Sequence, residues 1–125
     1  GLTLLRLADA LAEEEGSSDG DVKTGIGVLR RALEAPVRQI ALNSGVDPGV
    51  VVDRLRSGSG DFGFDASTGE YVDLAEAGII DPAKVVRVAL ENAISVAGTL
   101  LLTEGTLTEI EENTRDAGPA MPEFG

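Results

Sequence analysis

The chain has 125 residues, enough for one domain or a piece of one. Its 22 acidic and 10 basic residues give a net charge of −12, which argues against a nucleic-acid footprint and against docking on an anionic membrane surface. With no Cys, His or Trp it has no disulfide, no thiolate or imidazole metal ligand and no Ser-His-Asp triad, while 42% hydrophobic residues are too many for a disordered acidic chain.

Helical periodicity dominates from the first residues. Leu4, Leu7 or Ala8, and Leu11 recur at spacings of three and four and predict an amphipathic helix over 2–14. Gly16-Ser17-Ser18-Asp19-Gly20 is a break. Val22, Ile26, Leu29 and Leu33 then mark a helix over 21–35, in which Gly25 and Gly27 suggest the close approach of another backbone. Pro36 interrupts it, so Val37, Ile40 and Ala41 belong to a kinked continuation or a new helix. Asp47-Pro48 supplies an N-cap acceptor and a residue suited to the first helical turn, ahead of Val51, Val52 and Leu55.

The pattern changes after Ser57-Gly58-Ser59-Gly60. Phe62-Gly63-Phe64, a turn at 66–69 and Tyr71-Val72 predict a β-hairpin with strands near 62–65 and 69–72, burying its area through three aromatic rings. A short helical turn over 73–77 stops at Gly78. Asp81-Pro82 repeats the Asp-Pro helix start, and the segment 82–103 is the longest predicted helix. It is apolar almost all round (Val85, Val88, Ala89, Ala93, Val96, Leu100), which predicts burial between other helices, with Gly98 permitting close contact. Thr106 to Ile110 alternates like a strand, and 113–125, with Pro119 and Pro122, reads as a mobile tail. The longest weakly polar run, Ile94 to Thr103, falls short of the roughly 20 residues of a membrane-spanning helix. The start lacks the basic residues of a signal peptide, and an opening at Gly1 without Met suggests a piece of a longer protein.

Most short motifs carry no chemistry. Asp61-Phe62-Gly63 imitates a kinase metal-binding triplet, but a chain without His has no H-R-D loop. Gly58-x-Gly60 lacks the following Lys of a phosphate-binding loop. Glu13-Glu14-Glu15 reads as a solvated helix end. Asp81 shares a loop with Ile79 and Ile80, a pairing able to clasp an adenosine between an aliphatic side chain and a carboxylate. The spacing by itself favours helix capping, as for Asp47. Asp65 to Ser67 offers backbone groups to a base edge, against ordinary turn chemistry.

Three stretches together resemble one family: Arg31 to Asn43 (RALEAPVRQIALN), Gly63 to Leu74 (GFDASTGEYVDL), and Ala77 to Val85 (AGIIDPAKV) continuing through Ala93 to Gly98. In this order and spacing they are similar to the C-terminal part of the equatorial domain of GroEL-type group I chaperonins, over residues 1–112. The resemblance implies a mainly α helical bundle of the chaperonin equatorial-domain type, with one small β-hairpin and a C-terminal strand. It implies a cytoplasmic, ATP-driven folding chamber of subunits in stacked rings, closed by a lid co-chaperonin around non-native proteins. By position, Asp81 matches the family carboxylate that holds the ribose, Asp65, Ala66 and Ser67 match the hairpin positions near the base, and Ile79 matches an apolar contact. Family members often have Asn where Asp65 stands, which leaves backbone contacts as the firmer expectation there. ATP or ADP would be the ligand, with Mg and K ions supplied by other segments. The phosphate loop, the metal-binding Asp and the Asp that activates water match earlier family segments, so this stretch alone is expected not to turn over ATP. The alternative is a non-catalytic helical oligomerisation or interaction module, driven by the 106–110 edge and the Leu-rich face of the first helix.

Overall fold

A computed structural model describes residues 1–103, 105, 107 and 108. The chain divides into two compact units, Gly1–Asp81 and Pro82–Gly125. The first holds helices α1 (Leu2–Ser17), α2 (Gly20–Leu33), α3 (Ala35–Asn43) and α4 (Pro48–Ser57), followed by strands β1 (Phe62–Asp65) and β2 (Glu70–Asp73). The second holds α5 (Ala83–Leu101). The mainly helical class with one hairpin is therefore the observed one. Pro36 starts a new helix rather than kinking the old one: it sits in the first turn of α3, where no N–H is needed.

One core organises the first unit. Leu5 of α1, Val37 and Ala41 of α3, Val51, Val52 and Leu55 of α4 and Phe64 of β1 form a single buried cluster. The α4 stripe is the one its spacing predicts, and Asp47 caps that helix, accepting from Gly49 N–H at 2.7 Å and Val50 N–H at 3.2 Å. On α1 the buried positions are Leu5 and Ala8, with Leu4 and Leu11 half-buried, so of the alternatives Leu7 or Ala8 it is Ala8 that faces in and Leu7 that faces out.

The hairpin is antiparallel, with Phe62 opposite Asp73, Gly63 opposite Val72, Phe64 opposite Tyr71 and Asp65 opposite Glu70. A lone two-stranded hairpin is marginal in water. This one is held by its rings: Tyr71 packs on Phe62 (centroids 5.9 Å apart) and on Phe64 (5.3 Å), and Arg54 of α4 lies 4.4 Å above the Tyr71 ring. At Gly63 an added Cβ would overlap the Leu74 side chain, which would have to shift to admit it.

Two expectations change. Gly25 admits no close backbone: a Cβ there meets nothing within 4 Å, and one at Gly27 meets only the end of the Glu15 side chain. The short helical turn expected over 73–77 is, by contrast, present as a single hydrogen-bonded turn, with Ala77 N–H on Asp73 O at 3.0 Å, the Asp73 carboxylate accepting from Glu76 N–H at 2.9 Å, and Gly78 at φ +74° reversing it. No residue of α5 is buried, and a Cβ at Gly98 meets nothing within 4 Å. Hydropathy alone predicted burial for that helix, but burial also needs an apolar surface to pack against, which hydropathy does not supply. The expected strand over 106–110 falls largely outside the described residues; Leu107 and Thr108, within it, have no regular structure. The expected tail, 113–125, lies outside them entirely. No helix among the described residues is long and apolar enough to cross a membrane.

Candidate functional site

The expected site residues sit on two arms of the first unit. Asp65, Ala66 and Ser67 form the tip of the hairpin. The Asp65 Oδ1 accepts from the Ser67 hydroxyl at 2.6 Å and from Ser67 N–H at 2.9 Å, while Gly69, at φ +76°, donates its N–H to the Asp65 carbonyl at 2.8 Å. The Ser67 hydroxyl, then its backbone N–H, hold the Asp65 carboxyl below the usual carboxylate range. Asp65 is thus an ionised, acceptor-only group whose orientation the turn has already set, with the exposed backbone of Ala66 and Ser67 beside it.

Ile79, Ile80 and Asp81 form the second arm. Ile79 is 43% exposed, Ile80 is more so and Asp81 is exposed. The arm is anchored behind by Ile79 N–H on Leu74 O at 2.9 Å and by Leu74 N–H on Asp61 O at 2.9 Å. The spacing favoured Asp81 as the cap of the following helix, and this is corrected: the N-cap of α5 is Pro82, and no side chain caps it. The two Asp-Pro pairs differ in backbone register, since at Asp47 the proline is the first helical residue and at Asp81 it is the cap itself. The Asp81 carboxylate is therefore free of that duty. It lies near the start of α1. Gly1 lies against Val37, where a Cβ would come within 3.1 Å of the Val37 Cα. No hydrogen bond among the described residues joins the 65–67 tip to the 79–81 arm.

A separate concavity lies elsewhere. A cleft of about 470 Å³ is lined by Glu15, Lys23, Thr24, Gly27, Arg30, Arg31 and Glu34, and none of the expected site residues lines it. It is an open, charged groove of α1 and α2 whose Arg30 is already engaged by Glu15, and it offers no convergent acid, base or nucleophile. No group of three or more metal-ligating side chains occurs among the described residues.

The arginines are what sequence reasoning missed. Arg6 of α1 donates to Leu55 O at 2.9 Å, Gly60 O at 3.4 Å and Phe62 O at 3.4 Å. Arg30 donates to Ala8 O at 2.9 Å. Arg56 bridges Asp9 at 2.9 Å and Glu34 at 2.6 Å, and Glu34 also takes Arg38 at 3.0 Å. The only sequence signal was a basic residue directly beside a buried apolar position, as Arg6 stands beside Leu5. The Arg56 hydrogen bond holds Glu34 below its ordinary value of 4.5, against the burial that pushes it up, with Arg38 adding to the effect. This contribution to stability is complete above pH 4.5 and is lost as pH falls through the lowered value. Urea titrations of Arg56→Ala should accordingly show a flatter acid limb below pH 4.5 than the wild-type chain; parallel limbs would show the pair contributes nothing.

The comparisons with known proteins agree on the origin of this arrangement. Residues 1–111 match the model of the TCP-1/cpn60 chaperonin family. The chain belongs to this family. It is 61% identical over 119 residues to "Chaperonin GroEL 5" of Bradyrhizobium diazoefficiens, covering 95% of this chain and 22% of that protein. Among solved structures it is similar to the open-state monomer of a group II chaperonin from Methanococcoides burtonii, with a TM-score of 0.78 and 26% identity over 82% of this chain and 26% of that one. The chain thus spans about a fifth of the length of the curated chaperonin it matches.

Proposed function

We propose that this chain forms the adenosine side of the nucleotide pocket of an ATP-driven, GroEL-type chaperonin subunit. The observation that carries the reading is Asp81: a carboxylate beside exposed Ile79, relieved of helix capping and close to the glycine that opens α1. In this reading Asp81 accepts from the ribose hydroxyls and Ile79 lies against the base. The Asp65–Ser67 tip meets the base edge through its backbone. The phosphate loop and the Mg and K ions are supplied by other segments of the subunit. Residues 1–112 belong to one equatorial domain, in cytoplasmic stacked rings that take a lid co-chaperonin and non-native proteins. The exposed Val85, Val88, Ile94, Val96 and Leu100 of α5 support burial by other parts of such an assembly, since apolar surface of this extent marks an interaction face. It is also the feature that favours the second reading, a non-catalytic helical oligomerisation module.

Calorimetric titration of the chain with ADP tests the proposal. Binding should weaken at least about tenfold in Asp81→Ala, the loss of a charge-assisted hydrogen bond. Asp47→Ala, the matching cap on α4, should lower stability by about 1 kcal/mol and leave affinity unchanged. Equal affinity in wild type and Asp81→Ala would end the assignment of Asp81.

A further inference from the structure

Both arms of the candidate site hang from one short segment, the α4–β1 connection of residues 58–61 with Phe62. Phe62 opens β1, whose far end is Asp65. Asp61 O receives Leu74 N–H, and Leu74 O in turn receives Ile79 N–H, so the same segment starts the path to Asp81. The connection is ill suited to hold a fixed shape by itself. It contains Gly58 and Gly60, the latter at φ +59°, and has no helix or ladder of its own beyond the Gly58 N–H bond to Leu55 O and the Phe62 N–H bond to Ser59 O, both 3.3 Å.

We infer that Arg6 is a positioning residue that fixes this connection, and with it the spacing of the hairpin tip and the Asp81 arm relative to the start of α1. Its guanidinium donates to carbonyls before (Leu55), within (Gly60) and after (Phe62) the connection, from a helix whose N-cap, Gly1, lies against Val37. A planar fork with donors along three directions can hold three carbonyls at once; an ammonium on a flexible stem is a point donor and cannot hold the same three in the same geometry. Leu55 O lies in the last turn of α4, where its backbone partner is only the C-cap Gly58 N–H at 3.3 Å, so Arg6 adds a second, shorter bond at the helix end from which the connection departs. The role in a nucleotide pocket rests on the proposed function; the role in fixing the two arms does not.

Arg6→Lys keeps the charge and removes the fork. Amide hydrogen exchange of the intact chain should show protection at Gly69, Leu74 and Ile79 falling about tenfold or more, while Val51 and Leu55 in the core of α4 stay as in the wild type. Unchanged protection at the three arm amides would overturn the inference. So would a fall that runs in parallel at Val51 and Leu55, which would make Arg6 a general structural residue; Arg6→Gln, neutral and shorter, provides the same readout if the lysine variant folds poorly. ADP calorimetry separates the two claims. Affinity lost in Asp81→Ala but retained in Arg6→Lys would remove Arg6 from the pocket. No ADP binding by the wild-type chain would count against the nucleotide reading and leave the exchange result to decide whether Arg6 sets the arms.

Discussion

Leu55→Ala should destabilise the first unit by about 3 kcal/mol, within the range of roughly 2–5 kcal/mol for such truncations in tight cores. Leu55 has no exposed surface and belongs to a cluster of seven buried residues, drawn from α1, α3, α4 and β1. Truncation removes its transfer energy and leaves a cavity between elements that cannot all relax together, because the hairpin is pinned to α4 by rings and by Arg54. Val50, on the same helix and 57% exposed, is the internal comparison: Val50→Ala should lie within about 0.5 kcal/mol of wild type. Urea titration followed by circular dichroism reads both. Similar midpoints for the two variants would mean that this cluster is not the core.

Gly63→Ala should be the second large effect, costing about 1–3 kcal/mol through overpacking, although alanine elsewhere in a strand is preferred to glycine. A Cβ at Gly63 overlaps the Leu74 side chain, and Gly63 is itself buried, paired with Val72. Leu74 is also the residue whose backbone carries the turn to Ile79 and Asp81, so its displacement reaches the second arm. The double variant Gly63→Ala with Leu74→Ala should recover part of the loss, giving a favourable coupling by urea titration. A harmless Gly63→Ala, or strictly additive losses, would show that Leu74 moves aside freely.

Those two residues show where the sequence was readable and where it was not. The α4 stripe of Val51, Val52 and Leu55 was legible because helical periodicity and an Asp-Pro start point the same way. The aromatic hairpin was legible because three rings in ten positions leave few other ways to bury their area. Asp81 was misread on spacing: the dipeptide is the same as at Asp47, and only the backbone of Pro82 decides whether the carboxylate reaches a helix N–H. The preference for glycine at 63 is set by Leu74, across the strand pair, and the Arg6 bonds span 49 to 56 residues, a separation at which no local pattern informs. The burial expected for α5 was a statement about neighbours, and hydropathy does not say which chain segment provides them.

The order of the core residues along the chain also bears on how the molecule comes to be folded. Within the buried cluster Leu5 leaves the ribosome first, and the other buried members, from Val37 through Phe64, follow much later. The contacts among α3, α4 and the hairpin are close in sequence and cheap in loop entropy, so they suit an early nucleus, whereas docking of α1 must close a long loop. Until then the Leu5 side of α1 stays exposed to whatever nascent chain lies nearby, while α2, which follows directly and packs on α1, can already be in place.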